Sequence, residues 1–302
     1  MSFELLAVVG PTASGKSSLA IEIAKAIPNH LEIVNGDAMQ LYKHLDIGTA
    51  KLSVEDRGGV PHHLFDVITP SQEMTAVEYQ GLARQAFREI SAAGGMPILT
   101  GGSMFYISAA LDNLGFAPTD LEIRTALEAE AEQFGPGLLF DRLQQLDPLT
   151  ASRIPKQNIR RVIRALEVIQ ITGEPYSSAL PEQSFFTPTL MLGIRTPREV
   201  LRERIAARVN QMWESGLLEE ARWLRENWVL SRTAAKAIGY QQAFQQLDGE
   251  LSQQQAIEQT VNLTNRYARR QMSWFGRDKR IVWLDDDQNL VANALERIRL
   301  EQ

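Results

Sequence analysis

Gly10-Pro11-Thr12-Ala13-Ser14-Gly15-Lys16-Ser17 fits G-x-x-x-x-G-K-[ST], the phosphate-binding loop, without a mismatch. Leu5 to Val9 before it is an apolar run of buried-strand length. Ser18 to Ile27 after it places Leu19, Ala20, Ile23, Ala24 and Ile27 at helical spacing. Strand, glycine loop and helix form the context that separates a working phosphate loop from a glycine-rich turn before a helix. Gly10 and Gly15 permit a tight wrap of inward backbone N–H groups. Lys16 adds a point charge, the helix N-terminus adds its dipole, and the Ser17 hydroxyl can ligate Mg²⁺. The loop predicts a bound phosphorylated ligand.

The 302-residue chain is long for one compact unit and suggests a core with an insertion, or two domains. With 44% hydrophobic and 23% charged residues it can bury a sizeable core. No apolar run nears the roughly 18 residues of a membrane span. Met1-Ser2-Phe3-Glu4 lacks the basic and apolar regions of a secretion signal. The absence of cysteine excludes disulfides and thiolate metal sites and suits a cytoplasmic location. A net charge of -6 argues against an overall basic coat but allows a local basic face.

Leu31 to Asn35 reads as a second strand, ending in Gly36-Asp37-Ala38-Met39-Gln40. Ligands of parallel α/β sheets sit beyond the carboxyl ends of strands, so Asp37 should face the crevice of the phosphate loop. A carboxylate there can accept a proton, bind Mg²⁺, or cap the next turn; composition alone leaves these open. Asp46-Ile47-Gly48-Thr49-Ala50-Lys51 reads as a polar surface loop near the site. His62-His63 suggests a metal site, yet neighbours on an extended segment point oppositely and no third ligand lies close by, which favours structural hydrogen bonding.

Thr75 to Ala93 carries a helical pattern, and Met96 to Thr100 is a third strand delivering Gly101-Gly102-Ser103 to the crevice. A motor-type NTPase would place an aspartate at such a strand end. Its absence favours a group transferase that uses the loop to hold a diphosphate. From about residue 118 to 185 the sheet pattern stops, and Leu121 to Phe134, Leu138 to Leu146 and Ile159 to Ile171 read as helices. The expected fold is therefore α/β: a P-loop NTPase-like parallel sheet flanked by helices over residues 1–117 and 186–302, interrupted by an all-helical insertion over 118–185.

Within the insertion, Lys156, Arg160 and Arg164 share one helical face, either a solvated basic face or a contact to a phosphate backbone. Leu190 to Ile194 resumes the sheet. Arg195 to Arg208 holds five arginines against two glutamates, and Arg266 to Arg280 holds six cations against one aspartate. Such clusters in an acidic protein need a partner, most commonly phosphates. Tyr267, Trp274 and Phe275 interleave with the second cluster and suit base stacking or, for at least two of them, core packing.

These motifs, in this order, resemble the tRNA dimethylallyltransferase family over nearly the full length. The resemblance rests on the phosphate loop, Asp37-x-x-Gln40-x-Tyr42, Asp46 to Lys51, His62-His63-x-x-Asp66 and Gly101-Gly102-Ser103-x-x-Tyr106. It continues through Asp147-Pro148, Asn158-x-x-Arg161-x-x-Arg164-Ala165-Leu166-Glu167, Ala237 to Tyr240, and Thr264-x-x-Tyr267-Ala268-x-Arg270-Gln271-x-x-Trp274-Phe275. It implies Mg²⁺-dependent transfer of a dimethylallyl group from its diphosphate to N6 of the adenosine 3′-adjacent to the anticodon. No exposed apolar stripe stands out in the sequence, so the protein is expected to be a monomer, in keeping with the cytoplasmic location that the lack of cysteine suits. Lys16 and the loop would bind diphosphate, Asp37 would be the general base, and Ser103, where the family carries threonine, would lie beside the reacting amine. Lys236, where the family can carry arginine, would be a further diphosphate contact. The anticodon stem-loop would be held by Asp37 to Gln40, Ser103, Arg124 and Gln157-Asn158-Ile159-Arg160-Arg161. A small-molecule kinase using ATP, an adenylate prenyltransferase and a non-catalytic nucleotide switch are the alternatives.

Overall fold

The computed structural model describes residues 2–28, 30–176 and 184–301. The chain runs β1 (Leu5–Val9), α1 (Lys16–Ala26), β2 (Leu31–Asn35), β3 (His62–His63), α2 (Ala76–Ala92), β4 (Met96–Gly101) and α3 (Met104–Leu111). Four helices follow: α4 (Leu121–Phe134), α5 (Pro136–Leu146), α6 (Pro148–Arg153) and α7 (Ile159–Thr172). Then come β5 (Thr189–Arg195), α8 (Arg198–Glu214), α9 (Leu217–Asn227), α10 (Arg232–Ala235), α11 (Tyr240–Leu247), α12 (Gln253–Phe275), β6 (Ile281–Asp285) and α13 (Leu290–Leu300).

The strands form one parallel sheet in the order β3-β2-β4-β1-β5-β6. The fold is the expected α/β type. Successive residues of β1 alternate between two cores. Leu5, Ala7 and Val9 join Val34, Leu99 and Met191 on one face, while Leu6 and Val8 join Ile33, Ile98 and Leu192 on the other. Both faces are covered by helices, which is why these strands read as unbroken apolar runs and not as alternating patterns. Beside β1 lie β4 and β5, so the loop leaving β1 opens at the centre of the sheet's carboxyl edge, where strand order reverses.

The chain divides into two compact units, Met1–Asp112 with Phe185–Gln302, and Asn113–Ser184. The second unit holds α4 to α7 around Leu127, Leu139, Leu143, Val162, Ile163 and Leu166. Within this unit the Ala117 and Pro118 carbonyls accept Arg164 guanidinium hydrogen bonds at 2.6 and 2.9 Å, which tie the segment before α4 to α7. The short α6 has no apolar periodicity to announce it. It is set by local capping: the Asp147 carboxylate accepts the Thr150 N–H at 3.0 Å, and Pro148 occupies the first helical position.

Candidate active site

The phosphate loop joins β1 to α1. Gly15, at φ 82°, is the helix N-cap, and no side chain caps the helix, so its first N–H groups remain available to an anion. Helix α1 starts two residues earlier than its apolar pattern, because the polar Lys16 and Ser17 form its first turn. The buried Ser14 hydroxyl donates to the Pro11 carbonyl at 2.9 Å, and Lys16 Nζ donates to the same carbonyl at 2.7 Å. Burial lowers the Lys16 pKa to about 8; Asp37 pulls it back up and Arg208 pushes it further down.

Asp37 lies just past the end of β2. Its Oδ1 accepts the Met39 N–H at 2.9 Å, and its own N–H donates to Asn35 Oδ1 at 2.9 Å. Asn35 Nδ2 donates to the carbonyls of Asp37 and Leu64 at 3.1 and 3.0 Å, and the Tyr79 hydroxyl donates to the Asn35 carbonyl at 2.8 Å. One carboxylate oxygen thus caps the turn, while among the described residues Oδ2 has no hydrogen-bond partner. The turn cap and the unpartnered acceptor are two oxygens of one side chain.

Ser103 is the residue just before α3, and its side chain does not cap the helix. Its hydroxyl instead accepts the Ala38 N–H at 2.8 Å, tying the strand-end loops of β2 and β4 together. Their approach requires Gly101, since a Cβ there would lie 2.3 Å from the Gly36 carbonyl carbon. On the opposite wall, buried Gln271 of α12 accepts the Thr12 N–H at 2.8 Å and donates to the Gly102 carbonyl at 2.8 Å. The Tyr267 hydroxyl donates to the same carbonyl at 3.4 Å. Burial first, then the Asp37 charge, raises its pKa to about 12, so it stays protonated. Phe275 packs in the core, whereas Trp274 is exposed.

Arg208 of α8 was counted in the sequence only as part of a basic cluster, yet it enters the site. Its Nη1 donates to the Thr12 hydroxyl at 3.2 Å and its Nη2 to the Thr49 carbonyl at 3.4 Å. Burial lowers its pKa and Asp37 opposes that. The cavity that results is lined by Thr12, Lys16, Ser17, Asp37, Gln40 and Arg208, among others. The signal available in the sequence was weak: an arginine within a helix, ten residues after Arg198.

The Asp46–Lys51 segment departs from its surface-loop reading. Thr49 is buried and lines the cavity with Ala50, and Gln40 Nε2 donates to the Thr49 and Ala50 carbonyls at 3.1 and 3.3 Å. His62 and His63 serve the scaffold: His62 Nδ1 bonds the Val60 carbonyl at 2.7 Å and stacks on Phe65, and His63 pairs with Glu32.

For Mg²⁺, no described cluster of three or more His, Cys, Asp or Glu side chains forms a protein cage. The Thr100 hydroxyl, however, is buried in this cavity without a hydrogen-bond partner among the described residues, and it shares the lining with Ser17 and Asp37. The two hydroxyls, with the Asp37 charge nearby, suit a hydrated Mg²⁺ delivered with phosphates. The residues fit.

The remaining expected contacts lie elsewhere. Lys236, exposed just past α10, lines a second cavity with Arg266, Arg269 and Arg270 instead of the cavity of the phosphate loop. In the helical unit, Gln157, Arg160 and Arg161 are exposed, and Asn158 and Ile159 are half-buried at the start of α7. Arg124 is committed to the fully buried Glu167, with Nη2–Oε2 at 2.9 Å, and Arg164 joins the same carboxylate at 2.9 Å. Burial works against the Glu167 charge, but these guanidinium hydrogen bonds outweigh it and hold its pKa below the ordinary value. Lys156 faces Asp141 at 3.5 Å, so of the expected basic face Arg160 alone has no ion-pair partner among the described residues.

A family model described as IPP transferase matches residues 40–278. The chain belongs to the IPP transferase family. It is 46% identical over 297 residues to a tRNA dimethylallyltransferase of Salinispora tropica, covering 98% of this chain and 92% of the relative. It is 48% identical over 295 residues to one of Thermobifida fusca, covering 96% and 92%. Among solved structures, the tRNA isopentenylpyrophosphate transferase of Bacillus halodurans superposes with a TM-score of 0.72 at 36% identity, covering 99% of this chain and 96% of that one. A eukaryotic dimethylallyltransferase acting on tRNA gives 0.80 at 26% identity, covering 97% and 77%. The phosphate loop precedes the residues of the family match, and its reading rests also on the loop's own geometry.

Proposed function

We propose that the protein transfers the dimethylallyl group of dimethylallyl diphosphate to N6 of the adenosine 3′-adjacent to the anticodon in tRNA. One observation carries the reading: a single cavity opposes two cations and the helix N-terminus, which suit a leaving diphosphate, to the unpartnered Oδ2 of Asp37, which suits a proton. The allylic C–O bond breaks, the C–N6 bond forms, and the N6 proton passes to Asp37 Oδ2. Lys16, Arg208 and the loop N–H groups stabilise the charge that develops on the diphosphate. Ser17 and Thr100 are the hydroxyls that would hold Mg²⁺, which supplies further neutralisation of phosphate charge when bound.

The adenine must leave the anticodon-loop stack to reach Asp37, and Ala38, Met39, Gln40 and Ser103 line its approach. The RNA backbone is assigned to Gln157–Arg161, to the exposed part of Arg124, and to the basic surface of Lys236, Arg266, Arg269 and Arg270. The protein is read as a cytoplasmic monomer. Labelled dimethylallyl diphosphate offered with Mg²⁺ and either unmodified tRNA or AMP tests this. Label on tRNA alone supports the reading; label on AMP alone, or on neither, overturns it.

A further inference from the structure

The Asp46–Lys51 and Ala237–Tyr240 motifs, which no step of the transfer uses, meet at one carboxylate. Glu220 of α9 accepts the Ile47 N–H into both oxygens at 3.2 and 3.0 Å, the Asp46 N–H at 3.3 Å and the Gly48 N–H at 3.5 Å. It also accepts the hydroxyl of fully buried Tyr240, whose oxygen accepts the Gly48 N–H at 3.2 Å. The packing is close: a Cβ on Gly48 would lie 2.4 Å from the Tyr240 ring. The far end of the segment is held by Lys51, whose Nζ donates to the Tyr42 carbonyl, Asp46 Oδ1 and Asp66 Oδ1 at 2.7, 2.6 and 2.7 Å.

Between these two anchors lies the Thr49 carbonyl, which accepts from Arg208 at 3.4 Å and from Gln40 at 3.1 Å. Among the described residues, Arg208 has no carboxylate within ion-pair distance. Its orientation depends on two neutral acceptors, the Thr12 hydroxyl and this carbonyl. A guanidinium recognises phosphate through a fixed fork, so a rotation of the fork costs binding even with the charge retained.

We infer that Glu220 and Tyr240 are positioning residues, which pin residues 46–48 so that the Thr49 carbonyl aims Arg208 at the diphosphate and holds Gln40 at the cavity wall. The inference rests on the transferase reading only for the name of the anion. Its distinguishing feature is that Glu220 acts on the anion through Arg208.

A double-variant cycle with inorganic diphosphate and Mg²⁺, read by calorimetry, tests it on the full chain. Glu220→Gln replaces one acceptor oxygen with an amide that faces N–H groups. It should weaken diphosphate binding roughly tenfold in the wild-type background, the scale of one charge-assisted hydrogen bond. In the Arg208→Ala background it should change nothing. The same factor in both backgrounds, or no effect in either, overturns the inference. Tyr240→Phe, which removes only a hydroxyl, repeats the cycle if Glu220→Gln does not fold. Asp248→Asn removes the Arg225–Asp248 pair (2.7 Å) beside the same helices and serves as the control. A loss of diphosphate affinity there equal to that of Glu220→Gln would reduce Glu220 to general stability and also overturns it. With donor and tRNA supplied, the donor KM should rise more than kcat falls. Because the binding probe is inorganic diphosphate, tRNA left unlabelled by the wild-type protein would count against the proposed function and leave this cycle readable.

Discussion

Gln271 holds Thr12 from 259 positions away, accepting its N–H at 2.8 Å while donating to the Gly102 carbonyl at 2.8 Å. One amide therefore joins the phosphate loop to the strand end that carries Ser103. Gln271→Leu keeps the volume but leaves the Thr12 N–H unpaired and the Gly102 carbonyl with only the longer Tyr267 hydrogen bond. It should cost about 1–3 kcal/mol of stability. Thermal unfolding with and without diphosphate checks this, and the ligand-induced rise in Tm should shrink as well.

Asp37 divides its carboxylate between a turn and a free oxygen. Asp37→Asn retains an acceptor for the Met39 N–H and removes the base. kcat should fall by roughly 10²–10⁴, the usual share of a general base, with tRNA still bound. Single-turnover transfer, paired with a tRNA binding isotherm, separates the two. Lys16→Ala should instead lose diphosphate binding and turnover together.

Burial sets the Lys16 pKa near 8, so the ammonium is charged below that pH and neutral above it in the empty site. Donor affinity should be flat below pH 8 and decline as pH rises through it. A bound diphosphate favours the charged form, so binding above pH 8 should take up a proton. The ratio of wild-type to Lys16→Met affinity across pH removes the ligand's own titration. A ratio that does not change with pH would contradict the assignment.

Arg266 and Arg269 have no ion-pair partners among the described residues and share two neighbouring cavities with Lys236 and Arg198. If RNA phosphates occupy this surface, replacing either arginine with alanine should weaken tRNA binding across sequences. It should also reduce the slope of log K against log salt by roughly one. Titrations at several salt concentrations measure both, and a slope unchanged by either variant would return these arginines to the solvent.

The central sheet and the phosphate loop could be read in the sequence because each is written locally. Leu5 to Ser17 carries its strand, its glycines and its lysine within a few residues. Arg208 and Gln271 could not be assigned this way, since each reaches the site by a tertiary crossing that apolar spacing does not encode. Gln271 falls within the Thr264–Phe275 motif, but nothing in its neighbours says that its amide faces Thr12. Arg164 shows the opposite failure. Its spacing with Arg160 suggested a common outer face, whereas the buried Glu167 three residues on draws it inward, a contest that helical periodicity does not resolve. Residues 46–51 read as a polar surface loop because nothing in them signals the Glu220 carboxylate that binds their N–H groups beside the buried Thr49.

The pairing of β1 with β5 has a consequence for biosynthesis. Val9 lies in register with Gly193, and Gln271 closes the anion site later still, so the first strand of the chain waits for segments made long after it. The whole of residues 113–184 must leave the ribosome before the sheet can gain its second half. Local helices of that segment can form during the wait, while the site itself, built from long-range contacts, is completed last. A nascent chain truncated before Gln271 would carry the full phosphate-loop sequence without the Gln271 bonds that join its Thr12 to Gly102.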